Sequence, residues 1–322
     1  MVHLLAKQCD QVESVLAYDI DPAKAKRVAK VPTAQPVQDL DAVLKDPDVR
    51  LVFVTASNDA HRDLTVAALE AGKAVMCEKP MATTLADAHT MVETAERLNG
   101  WLQIGFELRY SILYTTIKDW IDQGLLGEVV NTQCTYICSE FHGKGSWRNK
   151  KATGGSMFGE KLSHYVDLPR WWIGSPVTEA YAACAPNTVP YYEVRDNYHA
   201  TYRFASGAVS ELTFMMSPAA TFHGDPLQNV VTQQQGDGHA LTYLVVGTKG
   251  AAATDVFYRK IKRWEFGDAP EKMTSTWVED RTWDPAEDGR HFHNGIDQTR
   301  DIVRRVAAGE PPKTPARDSY DT

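Results

Sequence analysis

No stretch of this 322-residue chain offers the long uncharged apolar run that would span a bilayer, so the sequence sets membrane insertion aside. Basic charge is also short: 34 Lys and Arg against 42 Asp and Glu leave a formal charge of −8, which argues against an electrostatic grip on nucleic acid. Cysteine is sparse and unpaired. The five thiols, at Cys9, Cys77, Cys134, Cys138 and Cys184, form an odd set without metal-ligand spacing, and reduced thiols in a cytoplasm are the simplest account. The opening residues carry no signal-peptide pattern. A G-x-S-x-G elbow is missing, which removes the commonest serine hydrolase reading. His142, His223, His239 and the His291-Phe292-His293 step match neither H-E-x-x-H nor paired C-x-x-C, so solvated or capping histidines are expected and no metal.

What is present is the composition and rhythm of an enzyme. A hydrophobic fraction of 43% suits a globular protein, and the length leaves room for two domains, each with its own core. The first hundred or so residues alternate strand and helix signals. Val15 to Tyr18 is an apolar run ending in Asp19. Asp21-Pro22 caps and opens a helix over Ala23 to Ala29. A short helix from Leu40 to Lys45 precedes a buried strand, Leu51 to Val54. A helix from Ala60 to Ala71 closes on Gly72, and Val75 to Cys77 is the next strand. Thr84 to Leu98 reads as helix and Trp101 to Gly105 as strand. This spacing implies a parallel sheet with right-handed crossovers.

After Gly105 the pattern changes. A helix from Ile112 to Gln123 leads into a long strand, Val129 to Ile137, and His199 to Phe204, Ala208 to Met215 and Ala240 to Val246 alternate as antiparallel strands do. Gly154-Gly155 precedes a helix from Met157 to Trp172 that Gly174 ends, and Pro311 to Pro315 reads as loop. The expected organisation is a Rossmann-like α/β domain over residues 1–105. An α+β domain with a large, mostly antiparallel sheet follows over 106–322, its last segment returning toward the first domain.

The segment Gly72-Lys73-Ala74-Val75-Met76-Cys77-Glu78-Lys79-Pro80 is the most informative. It is an apolar strand delivering an acid and a lysine beyond its carboxyl end, where open α/β sheets place their ligands. An ordinary strand-end ion pair is the plain alternative for Glu78 and Lys79. Asp19 ends the preceding strand signal; it suits either a ribose-binding carboxylate or the Asp19-Ile20-Asp21-Pro22 turn. Thr55, Asn58 and His61 follow a buried strand and would line a cofactor crevice, while the same stretch also suits helix capping. Glu160 and His164, four apart on a helix, share one face and can point into one cavity. Arg109, Tyr110, Trp147 and Arg148 combine aromatic faces with fork donors, a set suited to a polyol.

Taken in order, Tyr18-Asp19-Ile20-Asp21-Pro22, Thr55 to His61, Glu78-Lys79-Pro80, and Gly154-Gly155 followed by Glu160 and His164 resemble the glucose-fructose oxidoreductase and inositol dehydrogenase (Gfo/Idh/MocA) family over nearly the whole chain. The resemblance implies a Rossmann domain plus a second, largely antiparallel domain. It also implies an NAD(P)-dependent oxidoreductase acting on a carbinol of a sugar, sugar derivative or inositol-like polyol. NAD is favoured over NADP because Asp19 would bind the ribose and repel an added phosphate. By the same resemblance His164 is the acid/base, Lys79 the electrostatic catalyst at the hydroxyl oxygen, and Glu160 the support, in the position where the family often has aspartate. Lys79 and His164 are then expected to meet across one cleft. An NAD-assisted glycosidase, or a non-catalytic binding or regulatory protein on the same scaffold, is the alternative. A homo-oligomer is expected through the open face of the second domain's sheet.

One departure stands out. A dinucleotide-binding domain should open with a strand and G-x-G-x-x-G, whose glycines admit the pyrophosphate to a helix amino end. This chain has no such motif, and Val2 to Lys7 reads as the tail of the helix that should follow it. The expectation is that the sequence begins about one strand and one loop late, and that it stops at Asp318 to Thr322 where a last helix would begin. A true start at Met1 would leave dinucleotide binding weak.

Overall fold

The computed structural model of the chain describes residues 1–140, 142–216 and 235–322. His223 therefore lies outside the described residues. The chain divides into two units: Met1–Phe106 with Gly295–Asp321, and Glu107–Asn294 with Thr322.

The first unit is Rossmann-like. Its elements are α1 (Val2–Gln8), β1 (Val15–Ala17), α2 (Pro22–Ala25), β2 (Ala34–Pro36), α3 (Asp41–Leu44), β3 (Leu51–Val54), α4 (His61–Glu70), β4 (Ala74–Cys77), α5 (Leu85–Leu98) and β5 (Leu102–Ile104). Helices Gly295–Ala308 and Ala316–Tyr320 complete it. All its strand pairs are parallel: β1 with β2, and β3 with β4 with β5. Local chemistry sets the boundaries. The Asp21 side chain accepts from the Ala23 amide at 2.9 Å with Pro22 in the first turn of α2. Thr84 Oγ1 accepts from the Asp87 amide at 3.1 Å to open α5, which closes on Asn99 in the left-handed conformation. The helix expected over Ala23 to Ala29 tightens after Ala25 into a 3-10 segment, Lys26–Lys30.

The core of this unit lies where α4 and α5 cover β3 to β5, around Leu69, Val75, Cys77, Met91, Val92 and Ile104. Burial pushes the Cys77 thiol up to about 12, so it stays a neutral packing group. A smaller cluster joins Leu5 of α1 with Val303, and Val15 of β1, Leu51 and Phe53 of β3 pack against it. The C-terminal segment is laced to β5: Trp101 Nε1 donates to Glu310 O at 2.8 Å, the Lys313 amide to Gln103 Oε1 at 2.8 Å, and Thr314 Oγ1 to Ile104 O at 2.6 Å.

The second unit is built on one eight-stranded sheet in the order β13-β12-β11-β10-β6-β9-β8-β7. The strands are β6 (Val129–Cys138), β7 (Val177–Ala183), β8 (Asn197–Phe204), β9 (Val209–Met216), β10 (Ala240–Gly247), β11 (Gly250–Asp255), β12 (Lys260–Ala269) and β13 (Lys272–Thr282). Every neighbouring pair is antiparallel except β6 with β9. That parallel pair carries a buried hydroxyl contact, Thr132 Oγ1 to Ser210 Oγ at 2.7 Å, between register partners. Alternation is clean on β6, where Cys134, Tyr136 and Cys138 are buried and Gln133 is exposed.

Helices α6 (Ile112–Asp122), α7 (Lys151–Gly154) and α8 (Ser163–Ile173) belong to this unit, with a π-turn over Phe158–Leu162 leading into α8. The helix expected from Met157 to Trp172 is thus a π-turn followed by an α-helix. Pro169 sits inside α8 and cannot donate to the carbonyl of Tyr165. The Tyr243 hydroxyl from β10 fills that role, donating to Tyr165 O at 2.7 Å. Tyr114, Tyr165, Trp172 and Tyr243 form an aromatic cluster, with Trp172 edge-on to Tyr243 at 5.0 Å between centroids.

Candidate functional site

In the first unit the sheet edge gathers the expected residues. Val54 and Cys77 are register partners on parallel strands, so Thr55 and Glu78 leave β3 and β4 side by side. Thr55 is exposed, Glu78 and Lys79 are half-buried, Asn58 is buried and Pro80 follows Lys79 through a cis peptide. Gly105, at the end of β5, leaves space for Glu78: a Cβ there would stand 2.8 Å from Glu78 Oε2. Asp19, two residues beyond β1, does form the turn, since its Oδ1 accepts from the Asp21 amide at 2.8 Å.

His61 is fully buried. Its Nδ1 lies 2.8 Å from Pro80 O and its Nε2 3.2 Å from Ala56 O, so the ring ties the loop after β4 to the loop after β3. These contacts make it a brace for the lysine-bearing loop.

In the second unit His164 stands at the head of α8, 3% exposed, with Nε2 4.0 Å from Glu107 Oε1. That same oxygen lies 2.5 Å from His293 Nδ1, and the two imidazoles meet edge to face at 6.3 Å between centroids. Glu160 is buried in the π-turn and accepts from Arg148 Nε at 2.8 Å; Arg148 in turn lies over the Trp147 ring at 4.3 Å. The close approach of α7 to this arginine depends on Gly154, where a Cβ would fall 2.5 Å from Arg148 O. Arg109 is buried against Asp167, with Nε to Oδ2 at 2.8 Å and Nη2 to Oδ1 at 2.5 Å, and so fastens the start of this unit to α8. Tyr110 is buried as well, its carbonyl accepting from Asn294 Nδ2 at 2.9 Å.

Two residues of this arrangement escaped sequence reasoning. Glu107 sits beside Arg109 in a single helical turn, Glu107–Tyr110, and His293 arrives from 186 positions away. The expectation of solvated or capping histidines fails at His293, held against Glu107 with its side chain 9% exposed. It fails again at His239, whose Nδ1 lies 2.8 Å from Asp237 Oδ1 while Nε2 accepts from the Ser139 amide at 3.1 Å. The Phe-Glu-Leu-Arg-Tyr stretch after the last parallel strand was the available signal, since it sets an acid beside the arginine already singled out.

A depression of about 430 Å³ lies on the open face of the sheet and is lined by Gln133, Thr135, Thr242, Tyr258, Lys262 and Trp264. These side chains include none of the titratable pairs just described. All five cysteines are free thiols, four buried and Cys184 exposed. No helix among the described residues is long and apolar enough to cross a membrane.

Comparison with known proteins bears on the family and the fold. Residues 2–106 match a family model described as an oxidoreductase family with an NAD-binding Rossmann fold, and residues 114–253 match a GFO/IDH/MocA C-terminal domain. An inositol 2-dehydrogenase of Salmonella paratyphi B is 36% identical over 173 residues, which are 52% of this chain and 49% of that protein. The matched region thus spans about half the length of that relative. An inositol 2-dehydrogenase of Streptomyces avermitilis is 26% identical over 294 residues, 86% of this chain and 81% of that protein. Among solved structures, levoglucosan dehydrogenase in complex with NADH and levoglucosan superposes with a TM-score of 0.78 at 20% identity. It covers 99% of this chain and 90% of the other, a likeness of fold.

Proposed function

This chain belongs to the Gfo/Idh/MocA family of oxidoreductases, and on that premise we propose that it is an NAD(P)-dependent dehydrogenase of a sugar, sugar derivative or inositol-like polyol. The donor set of the first unit fits a dinucleotide. Asp19 would accept from the ribose hydroxyls and repel a 2′-phosphate, which favours NAD, and Thr55, Asn58, Glu78 and Lys79 line the strand ends where such cofactors lie. His61 would act by bracing that edge. The bound nicotinamide supplies the two-electron acceptor.

The chain's own residues handle the proton and the oxygen. His164 takes the proton of the substrate hydroxyl, a general-base task for which imidazole is the commonest side chain. The Lys79 ammonium would stabilise the charge developing on a carbinol oxygen. Glu160, anchored by Arg148, supports the histidine side, and Trp147 with Arg148 offers an aromatic face and fork donors to a polyol. Arg109 and Tyr110 contribute by holding the frame around them. The open sheet face is assigned to a second copy of the chain, and the free thiols to the cytoplasm.

The observation that carries this reading is the burial of His164 with a carboxylate 4.0 Å from its Nε2. An ionisable ring is costly to bury for packing alone, and one buried beside a carboxylate is a pointer to chemistry. The test is nicotinamide reduction with inositols, levoglucosan and aldoses as candidate substrates. The wild-type protein should turn over at least one of them, and His164→Asn and Lys79→Met should each lose on the order of a hundredfold or more in kcat. Near-normal rates in both variants would defeat the assignment.

A further inference from the structure

We propose that Glu107, held in place by His293, is a positioning residue for His164, its carboxylate standing where it stabilises the imidazolium that His164 becomes. This rests on the dehydrogenase reading and adds to it two residues from opposite ends of the second unit.

The geometry is specific. A single carboxylate oxygen, Glu107 Oε1, faces both imidazoles, at 2.5 Å from His293 Nδ1 and 4.0 Å from His164 Nε2. With the rings 88° apart, the histidines meet edge to face. Only a donating Nδ1–H on His293 makes the short contact favourable, so the carboxylate fixes which nitrogen of that ring carries the proton.

Neither partner is free to drift. The segment bearing His293 is tied to the segment bearing Glu107 by Asn294 Nδ2 to Tyr110 O at 2.9 Å and by a short bond from Ser111 Oγ to His291 O. Phe292, 2% exposed in the core, packs edge-on to His293 at 4.2 Å. On the other side the Arg109–Asp167 pair fastens the Glu107 turn to α8 three residues beyond His164. Three stretches distant in sequence are thereby locked around one carboxylate. Glu160 differs, because the guanidinium of Arg148 already compensates its Oε1.

The proton balance is simple. The substrate O–H bond breaks and an N–H bond forms on His164; the carbinol C–H bond breaks as its hydrogen leaves with both bonding electrons, a hydride that a bound nicotinamide would accept, and carbon and oxygen become a carbonyl. The new positive charge on His164 then stands beside Glu107, whose charge-assisted bond to His293 holds it in the required pose.

Two measurements on the whole protein test this. The ¹⁵N shifts of the His293 ring in the ligand-free protein should show a protonated Nδ1, and Glu107→Leu should return the ring to the Nε2–H form. In turnover, Glu107→Gln should lower kcat on the order of 10- to 100-fold with KM nearly unchanged, and Glu107→Asp should recover part of the loss. Adding Glu107→Gln to His164→Asn should cost little more, since the two act as a unit. His293 unprotonated at Nδ1, or Glu107→Gln with wild-type kcat, overturns the inference while the dehydrogenase reading stands. A wild-type protein that reduces nicotinamide with none of the polyols overturns that reading, whatever the His293 ring shows.

Discussion

The two units solve the placement of polar residues in different ways. In the first, strands of three or four residues in small parallel sheets deliver Asp19, Thr55, Asn58, Glu78 and Lys79 within a few residues of a strand end. Topology alone brings Thr55, Asn58, Glu78 and Lys79 to the edge of the β3-β4-β5 sheet, and Asp19 to the end of β1 in the β1-β2 pair. In the second, Glu107, Arg148, Glu160, His164 and His293 come from four stretches of chain and are held by long-range ties. Arg109 and Asp167, 58 positions apart, form a buried bidentate pair that does for this unit what strand register does for the other. A parallel sheet needs few special contacts to define its edge, whereas a site spread over helices and loops depends on them.

The largest expected effect follows from that dependence. Removing one partner of a buried ion pair leaves a buried charge uncompensated and costs about 3–5 kcal/mol. Arg109→Ala should therefore strip hydrogen-exchange protection from α8 and the large sheet while leaving β3 to β5 protected. Equal loss in both units would break the comparison. Gly154→Ala should come next, because its Cβ would meet the Arg148 carbonyl carbon at 3.0 Å as well as the oxygen. Overpacking of this kind costs about 1–3 kcal/mol, and thermal unfolding of the variant measures it. It should also weaken polyol binding more than dinucleotide binding. The smallest is Thr84→Ala in the first unit, where loss of the α5 cap should cost about 1 kcal/mol in denaturant unfolding with turnover unchanged.

The same contrast explains what could be read from the chain. Leu51 to Val54 and Val75 to Cys77 announce themselves as apolar runs, and Glu78-Lys79-Pro80 follows directly, so the first unit was legible with its candidate residues attached. The short strand Ala34–Pro36 was not, since three residues ending in proline carry no periodic signal. In the second unit, β12 and β13 escaped because charged and polar residues run through both and nearly all of β13 is exposed, which masks the alternation. His164 and Glu160 were visible through helical spacing. Glu107 and His293 were not, because a contact across 186 positions leaves no local pattern and only folding makes them neighbours. Arg109 was singled out as a polyol contact, and its buried pairing with Asp167 could not be read from either residue alone.

The most direct test of the central claim is isotope transfer. The whole protein is given a polyol labelled with deuterium at its carbinol carbons together with NAD, and the recovered cofactor is examined by mass spectrometry. Dehydrogenation requires the label to appear in the reduced nicotinamide, and His164→Asn should slow that appearance on the order of a hundredfold or more. Label that never leaves the polyol, or transfer at the wild-type rate in His164→Asn, would contradict it.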